Sequence, residues 1–137
     1  MNLLVKKMTD YSDLIGIPFK DGGRDLNECD CLGLVLLAFK KHDISLPDYR
    51  ISCFASELVN DQINQARKEW KPIGDPVEPC LIVLRTDFYM PDMLSHLGTY
   101  IGGDRFLHTM IKRNSCIERL DHPYFRNRIE GFYAYAE

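Results

Sequence analysis

Glu28-Cys29-Asp30-Cys31-Leu32-Gly33-Leu34-Val35-Leu36-Leu37-Ala38-Phe39 is the stretch that decides how the chain folds. From Cys31 to about His42 the residues are apolar nearly all round, the pattern of a helix buried on every side. Asp30 stands where an acidic capping residue belongs, so Cys31 opens the helix. A thiol at that position is set up to ionise, because unpaired backbone N–H groups and the helix dipole favour the thiolate. A cysteine needed only for packing has no reason to sit there. The stretch predicts both a central buried helix and a nucleophile.

Working outward toward the N-terminus, Lys20-Asp21-Gly22-Gly23-Arg24-Asp25 is a turn-rich loop leading into the helix. Tyr11 to Ile17 reads as a short helical turn ended by Pro18. Downstream, Ala55, Leu58, Val59, Ile63, Ala66 and Trp70 recur at helical spacing and predict an amphipathic helix over 55–70. Lys71 to Pro79 holds three prolines and reads as a linker. From Cys80 the texture becomes β. Strands are expected at Cys80–Leu84, Leu97–Ile101, Arg105–Ile111, Cys116–Leu120 and Gly131–Tyr135. Helices followed by antiparallel strands indicate an α+β fold. At 137 residues the chain is expected to form a single domain, 1–137, with a real core.

Composition narrows the function classes. A formal net charge of −3 argues against an extended nucleic-acid surface and against adhesion to an anionic membrane by charge alone. The longest apolar run, Cys31 to Phe39, is too short to span a bilayer. Met1-Asn2-Leu3-Leu4-Val5-Lys6-Lys7 does not read as a signal peptide, so the expected location on synthesis is the cytoplasm. Five cysteines, irregularly spaced at 29, 31, 53, 80 and 116, fit free thiols better than a disulfide framework.

A cysteine nucleophile needs a base within reach, and the base needs an orienting partner. Of four histidines, His42 reads as a cap at the end of the first helix and His122 as a loop residue before Pro123. His96 and His108 lie in or beside a β-hairpin. A two-residue turn would put their rings on opposite faces. A three-residue turn at Gly102-Gly103-Asp104 would pair Ile101 with Arg105 and Gly98 with His108. His96 and His108 would then be diagonal neighbours on one face, roughly 7–8 Å apart at the backbone. Two glycines supply the positive φ of such a turn, and Gly98 leaves room for the ring.

Gly22-Gly23-Arg24, Asp30-Cys31-x-Gly33-Leu34-Val35, His96-Leu97-Gly98-x-Tyr100-Ile101-Gly102 and Phe106-Leu107-His108 together resemble, in order, the NlpC family of papain-like cysteine peptidases that act on bacterial cell walls. A bulky Leu32 after the cysteine and Leu46-Pro47-Asp48-Tyr49 look most like the phage-tail-associated branch. The resemblance implies a papain-like α+β fold, with Cys31 on a central helix packed against an antiparallel sheet. It implies Cys31 as nucleophile, His96 as general base and His108 as the residue that orients His96, with the Cys31 N–H helping to hold the oxyanion. It implies a peptidoglycan stem-peptide substrate, typically cut between D-glutamate and the diamino acid, and requires no cofactor and no metal. Departures are Phe19 where many members carry a tyrosine, Leu32 in place of serine, and Cys80-Leu81 in place of a Gly-Asp pair.

Other residues have plainer readings. Cys29 is expected to be a spare thiol; a zinc site of Cys29 and Cys31 with both histidines is disfavoured because Cys-x-Cys holds its ligands too close. Cys53, Cys80 and Cys116 are expected in or near the core. Arg24, Arg85 and Arg105 could meet substrate carboxylates, though ion-paired or solvated surface positions suit each better. The apolar stretch 87–95 leads into His96, either as a lid or as ordered packing. Two other function classes stay open: an assembly role in a phage-like tail, and an amidase or acyltransferase acting on a small or lipid substrate.

Overall fold

The computed structural model describes residues 8–51 and 56–135. Two helices, α1 (Cys31–Lys40) and α2 (Ser56–Ala66), precede six strands: β1 (Trp70–Ile73), β2 (Cys80–Leu84), β3 (His96–Tyr100), β4 (Arg105–His108), β5 (Cys116–Arg119) and β6 (Ile129–Tyr135). The strands form one antiparallel sheet in the order β1-β6-β2-β3-β4-β5. The expected α+β class is what the fold shows, with the helices on one face of the sheet. Cys53 lies outside the described residues.

The sheet divides the core by the alternation of side chains along each strand. Leu81 and Val83 of β2, Leu97 of β3 and Tyr133 of β6 pack with Leu32, Val35 and Phe39 of α1 and with Val59 and Ile63 of α2. Leu34 and Ala38, on another side of α1, meet Tyr11, Leu14, Ile17, Ile101 and Leu107. The helix is therefore covered on two sides, as its all-round apolar pattern requires; only Leu36, Leu37 and Lys40 lie outside the buried class. Cys80, Ile82, Leu84, Tyr100, Phe106 and Phe125 fill the opposite face of the sheet.

Three expectations are corrected. The helix over 55–70 ends at Ala66, passes through a 3₁₀ turn at Arg67–Glu69, and gives Trp70 to a strand. The supposed linker from Lys71 begins as β1, whose Pro72 stands opposite Tyr133. Proline removes one donor, and an edge strand can spare it. The strand from Arg105 stops at His108 rather than Ile111, because the chain turns with Arg113 N–H donating to the Met110 carbonyl and Lys112 at φ 65°.

Candidate active site

The loop before α1 is what fixes its first turn. Asp30 is wholly buried and caps the helix, one oxygen accepting from the Gly33 N–H at 2.8 Å. Its other oxygen accepts from the Gly22 N–H at 2.7 Å. Arg24 Nη1 pairs with the same carboxylate at 2.7 Å, and its Nε with Asp48 at 2.9 Å. A buried carboxylate is tolerable only when paired and fully hydrogen-bonded, and Asp30 is both. Arg24 thus takes the ion-paired reading, and Asp48 of the Leu46-Pro47-Asp48-Tyr49 segment is its second anion. That three-residue link could be suspected from charge alone, yet the pairing spans 24 positions and no local pattern specifies it.

Cys31 opens α1 and is nearly buried, at 4% exposure. It lines a cavity of about 200 Å³ together with His96. Phe19, Val59, Met110 and Ile111 give that cavity apolar walls, and Thr86, Asp87, Ser95 and Thr109 give it polar ones. Phe19 therefore faces the same space as Cys31, where a tyrosine would have added a hydroxyl.

The hairpin has the three-residue turn. Thr99 pairs with Leu107 and Tyr100 with Phe106, while the Ile101 N–H donates to the Arg105 carbonyl. Gly102, Gly103 and Asp104 all have positive φ, at 87°, 62° and 58°. A β-carbon on Gly98 would lie 3.1 Å from the Phe106 ring and 3.6 Å from the His108 β-carbon. In this register His96 and His108 share a face, and His96 Nε2 lies 2.8 Å from His108 Nδ1. Phe106 and Phe125 pack against the His108 ring, each centroid 4.9 Å away.

Both rings are buried, and burial disfavours the imidazolium. Burial, and then the charge of His108, hold His96 well below the ordinary histidine range. His108 is lowered to about 4, by burial first and then by the positive charges of Arg113 and His122. At neutral pH the pair is accordingly uncharged.

The remaining residues sort themselves. His42 does not cap α1 through its ring: its Nε2 lies 2.6 Å from the Tyr11 hydroxyl, which also donates to Glu78. His122 is half-buried, and its Nδ1 accepts from the Tyr124 N–H. Cys29 is fully buried and its thiol is pushed up to about 12, by burial and then by the Asp30 carboxylate. Burial raises Cys80 to about 11. The stretch 87–95 is ordered packing at its ends: Asp87 accepts from the Tyr89 and Met90 N–H groups, and buried Leu94 donates its N–H to Asn60 of α2. Between them Phe88 and Tyr89 stand almost fully exposed. Cys116 and Glu118 were not expected near the histidines, yet Cys116 Sγ is 3.7 Å and Glu118 Oε2 4.0 Å from His108 Nε2.

The family model for NlpC/P60 matches residues 16–133. Among solved structures, NlpC1 from Trichomonas vaginalis is 20% identical with a TM-score of 0.65, the match covering 90% of this chain and 41% of that one. An NLP/P60 family protein similar to a lipoprotein, from Staphylococcus aureus subsp. aureus Mu50, is 19% identical with a TM-score of 0.60, covering 99% and 45%. A family protein from Bacillus cereus ATCC 10987 is 19% identical with a TM-score of 0.63, covering 96% and 42%. At these identities the likeness is one of fold, and the chain spans less than half the length of each. Comparison with curated proteins gives no significant match.

Proposed function

The chain belongs to the NlpC/P60 family, and from that premise we propose that it is a cysteine peptidase acting on cell-wall peptides through Cys31, His96 and His108. The observation that carries the reading is that the thiol at a capped helix start shares one cavity with a buried histidine held by a second histidine.

In this reading His108 Nδ1 accepts the proton on His96 Nε2. His96 Nδ1 is then the nitrogen free to take the proton of the Cys31 thiol. The sulfur attacks an amide carbonyl, and the Cys31 backbone N–H at the helix start offers a donor to the oxyanion. His96 passes its proton to the departing amine. It then deprotonates a water, which attacks the thioester and releases the acid. Because burial disfavours a resting imidazolium, His96 works as a neutral general base rather than as half of a standing ion pair.

The substrate proposed is a peptidoglycan stem peptide, cut between D-glutamate and the diamino acid. Asp87 on the cavity wall offers a carboxylate to an amino group, and Phe19 offers only apolar contact. A second reading, an amidase or acyltransferase on a lipid-like substrate, draws on Phe88 and Tyr89, 87% and 88% exposed on the loop that contributes Asp87.

Digestion of purified peptidoglycan, with new amino termini assigned by mass spectrometry, tests the proposal. Wild type should release them; Cys31→Ala and His96→Ala should release at least about 1,000-fold less. A wild-type digest without new amino termini would transfer the case to acyl-lipid and small-amide substrates.

A further inference from the structure

β4 and β5 run antiparallel with His108 directly opposite Cys116 and Phe106 opposite Glu118. Residues two apart on a strand share a face, so Glu118 stands beside Cys116 and diagonal to His108. Their ligand atoms, His108 Nε2, Cys116 Sγ and a Glu118 oxygen, all lie within 4.8 Å of one another. The histidine nitrogen is 3.7 Å from the sulfur and 4.0 Å from the carboxylate. Imidazole, thiolate and carboxylate are donors that zinc accepts. Tetrahedral bonds of roughly 2.0–2.3 Å place such donors about 3.3–3.6 Å apart, so the two histidine separations need to close by less than about 1 Å.

The surroundings suit an ion. His108 Nδ1 is held by His96, and the ring is wedged against Phe106 and Phe125, so Nε2 is aimed at the cysteine and the glutamate. Cys116 and Glu118 are only partly buried, which leaves an approach and room for a water as fourth ligand. Among the described residues one cationic side chain faces the cluster, that of Arg113. Arg113 Nη2 lies 3.8 Å from the Glu118 carboxylate, and its side chain is half exposed and can swing into water.

We propose that His108, Cys116 and Glu118 form a site for a zinc-class divalent cation, and that filling it switches off Cys31. The switch, though not the site, rests on the roles proposed above for Cys31 and His96. A cation on Nε2 displaces the proton of a neutral His108 to Nδ1, and Cys116 loses its thiol proton to solvent as it binds. His108 then donates to His96 Nε2 instead of accepting from it. The single proton of neutral His96 must sit on Nδ1, the nitrogen that should have taken the proton of Cys31.

Cobalt(II) titrated into the chelator-treated full chain reads the site directly, through thiolate-to-cobalt charge-transfer absorption. One equivalent should bind to wild type and equally to Cys31→Ala. Cys116→Ser should lose the band, and Glu118→Gln should bind at least about 10-fold more weakly, with circular dichroism confirming that each variant is folded. No band in wild type, or a band lost in Cys31→Ala and kept in Cys116→Ser, would overturn the site. For the switch, alkylation of Cys31 by iodoacetamide is followed by peptide mass spectrometry with and without zinc. Zinc should slow it about 10-fold or more in wild type and leave it unchanged in Cys116→Ser. Slowing that survives in Cys116→Ser would put the cation on Cys31 and His96 and overturn the switch. A metal-free protein that cuts no peptidoglycan would sink the proposed function instead, while the site still stands or falls on the cobalt spectrum.

Discussion

Gly33 faces the backbone of Gly23 so closely that a β-carbon on it would lie 2.1 Å from the Gly23 carbonyl oxygen. The loop and the first turn of α1 are in backbone contact two residues along from Cys31. Gly33→Ala must therefore push the loop off the helix. We expect it to cost about 3 kcal/mol and to slow alkylation of Cys31, both read by urea unfolding and thiol labelling. Wild-type values for both would refute the contact.

Asp30→Ala removes the helix cap, strands the Gly22 and Gly33 N–H groups and leaves Arg24 with Asp48 as its one carboxylate partner, beside the Gly23 carbonyl. The expected loss is about 3 kcal/mol. Asp30→Asn retains one acceptor oxygen and should lose less, so the ordering wild type, Asn, Ala in urea midpoint is the measurement. An alanine variant as stable as wild type would show that the network contributes nothing net.

Stability should fall in acid through His108. Its folded-state value of about 4 lies below the ordinary 6.5, so the unfolded chain binds more protons between them. The contribution is complete above pH 6.5 and is lost as pH falls toward 4. At pH 5 the loss is on the order of 2 kcal/mol, with His96 adding in the same direction. Unfolding free energies at pH 5 and pH 7 in metal-free buffer should differ by at least this amount, and His108→Gln should narrow the gap. An equal gap in the variant would assign the acid sensitivity elsewhere.

Cys29 and Cys80 should be inert to iodoacetamide near neutral pH, because burial holds both thiols far above it. Cys116 should react slowly and Cys31 fastest. Peptide mass spectrometry after timed labelling gives the four rates. Equal rates at Cys31 and Cys116 would count against an activated nucleophile.

Much of this was legible in the chain because it is local. The apolar run after Asp30 specifies a buried helix, and two glycines before Asp104 specify the turn that sets the histidine register. What escaped is what depends on distant partners. Nothing near Trp70 announces that it begins an edge strand, since its neighbour β6 lies some sixty residues on. Pro72 reads as a breaker until that edge is known. Arg24 could not be assigned to Asp30 and Asp48 before the loop was folded over the helix. Cys116 and Glu118 acquire meaning only once β5 is laid against β4.

The place of β6, between β1 and β2, has a consequence for the order of events during synthesis. Those two strands are consecutive in the chain, yet they are not neighbours in the sheet; until residues 129–135 leave the ribosome β1 has no strand beside it and β2 has β3 alone. Until then Leu81 and Val83 lack Tyr133 on the face that supports α1. Cys31, made early, gains the finished platform under its helix only once β6 has been made, so a nascent chain halted before residue 129 should carry every residue of the cavity and still lack a formed one.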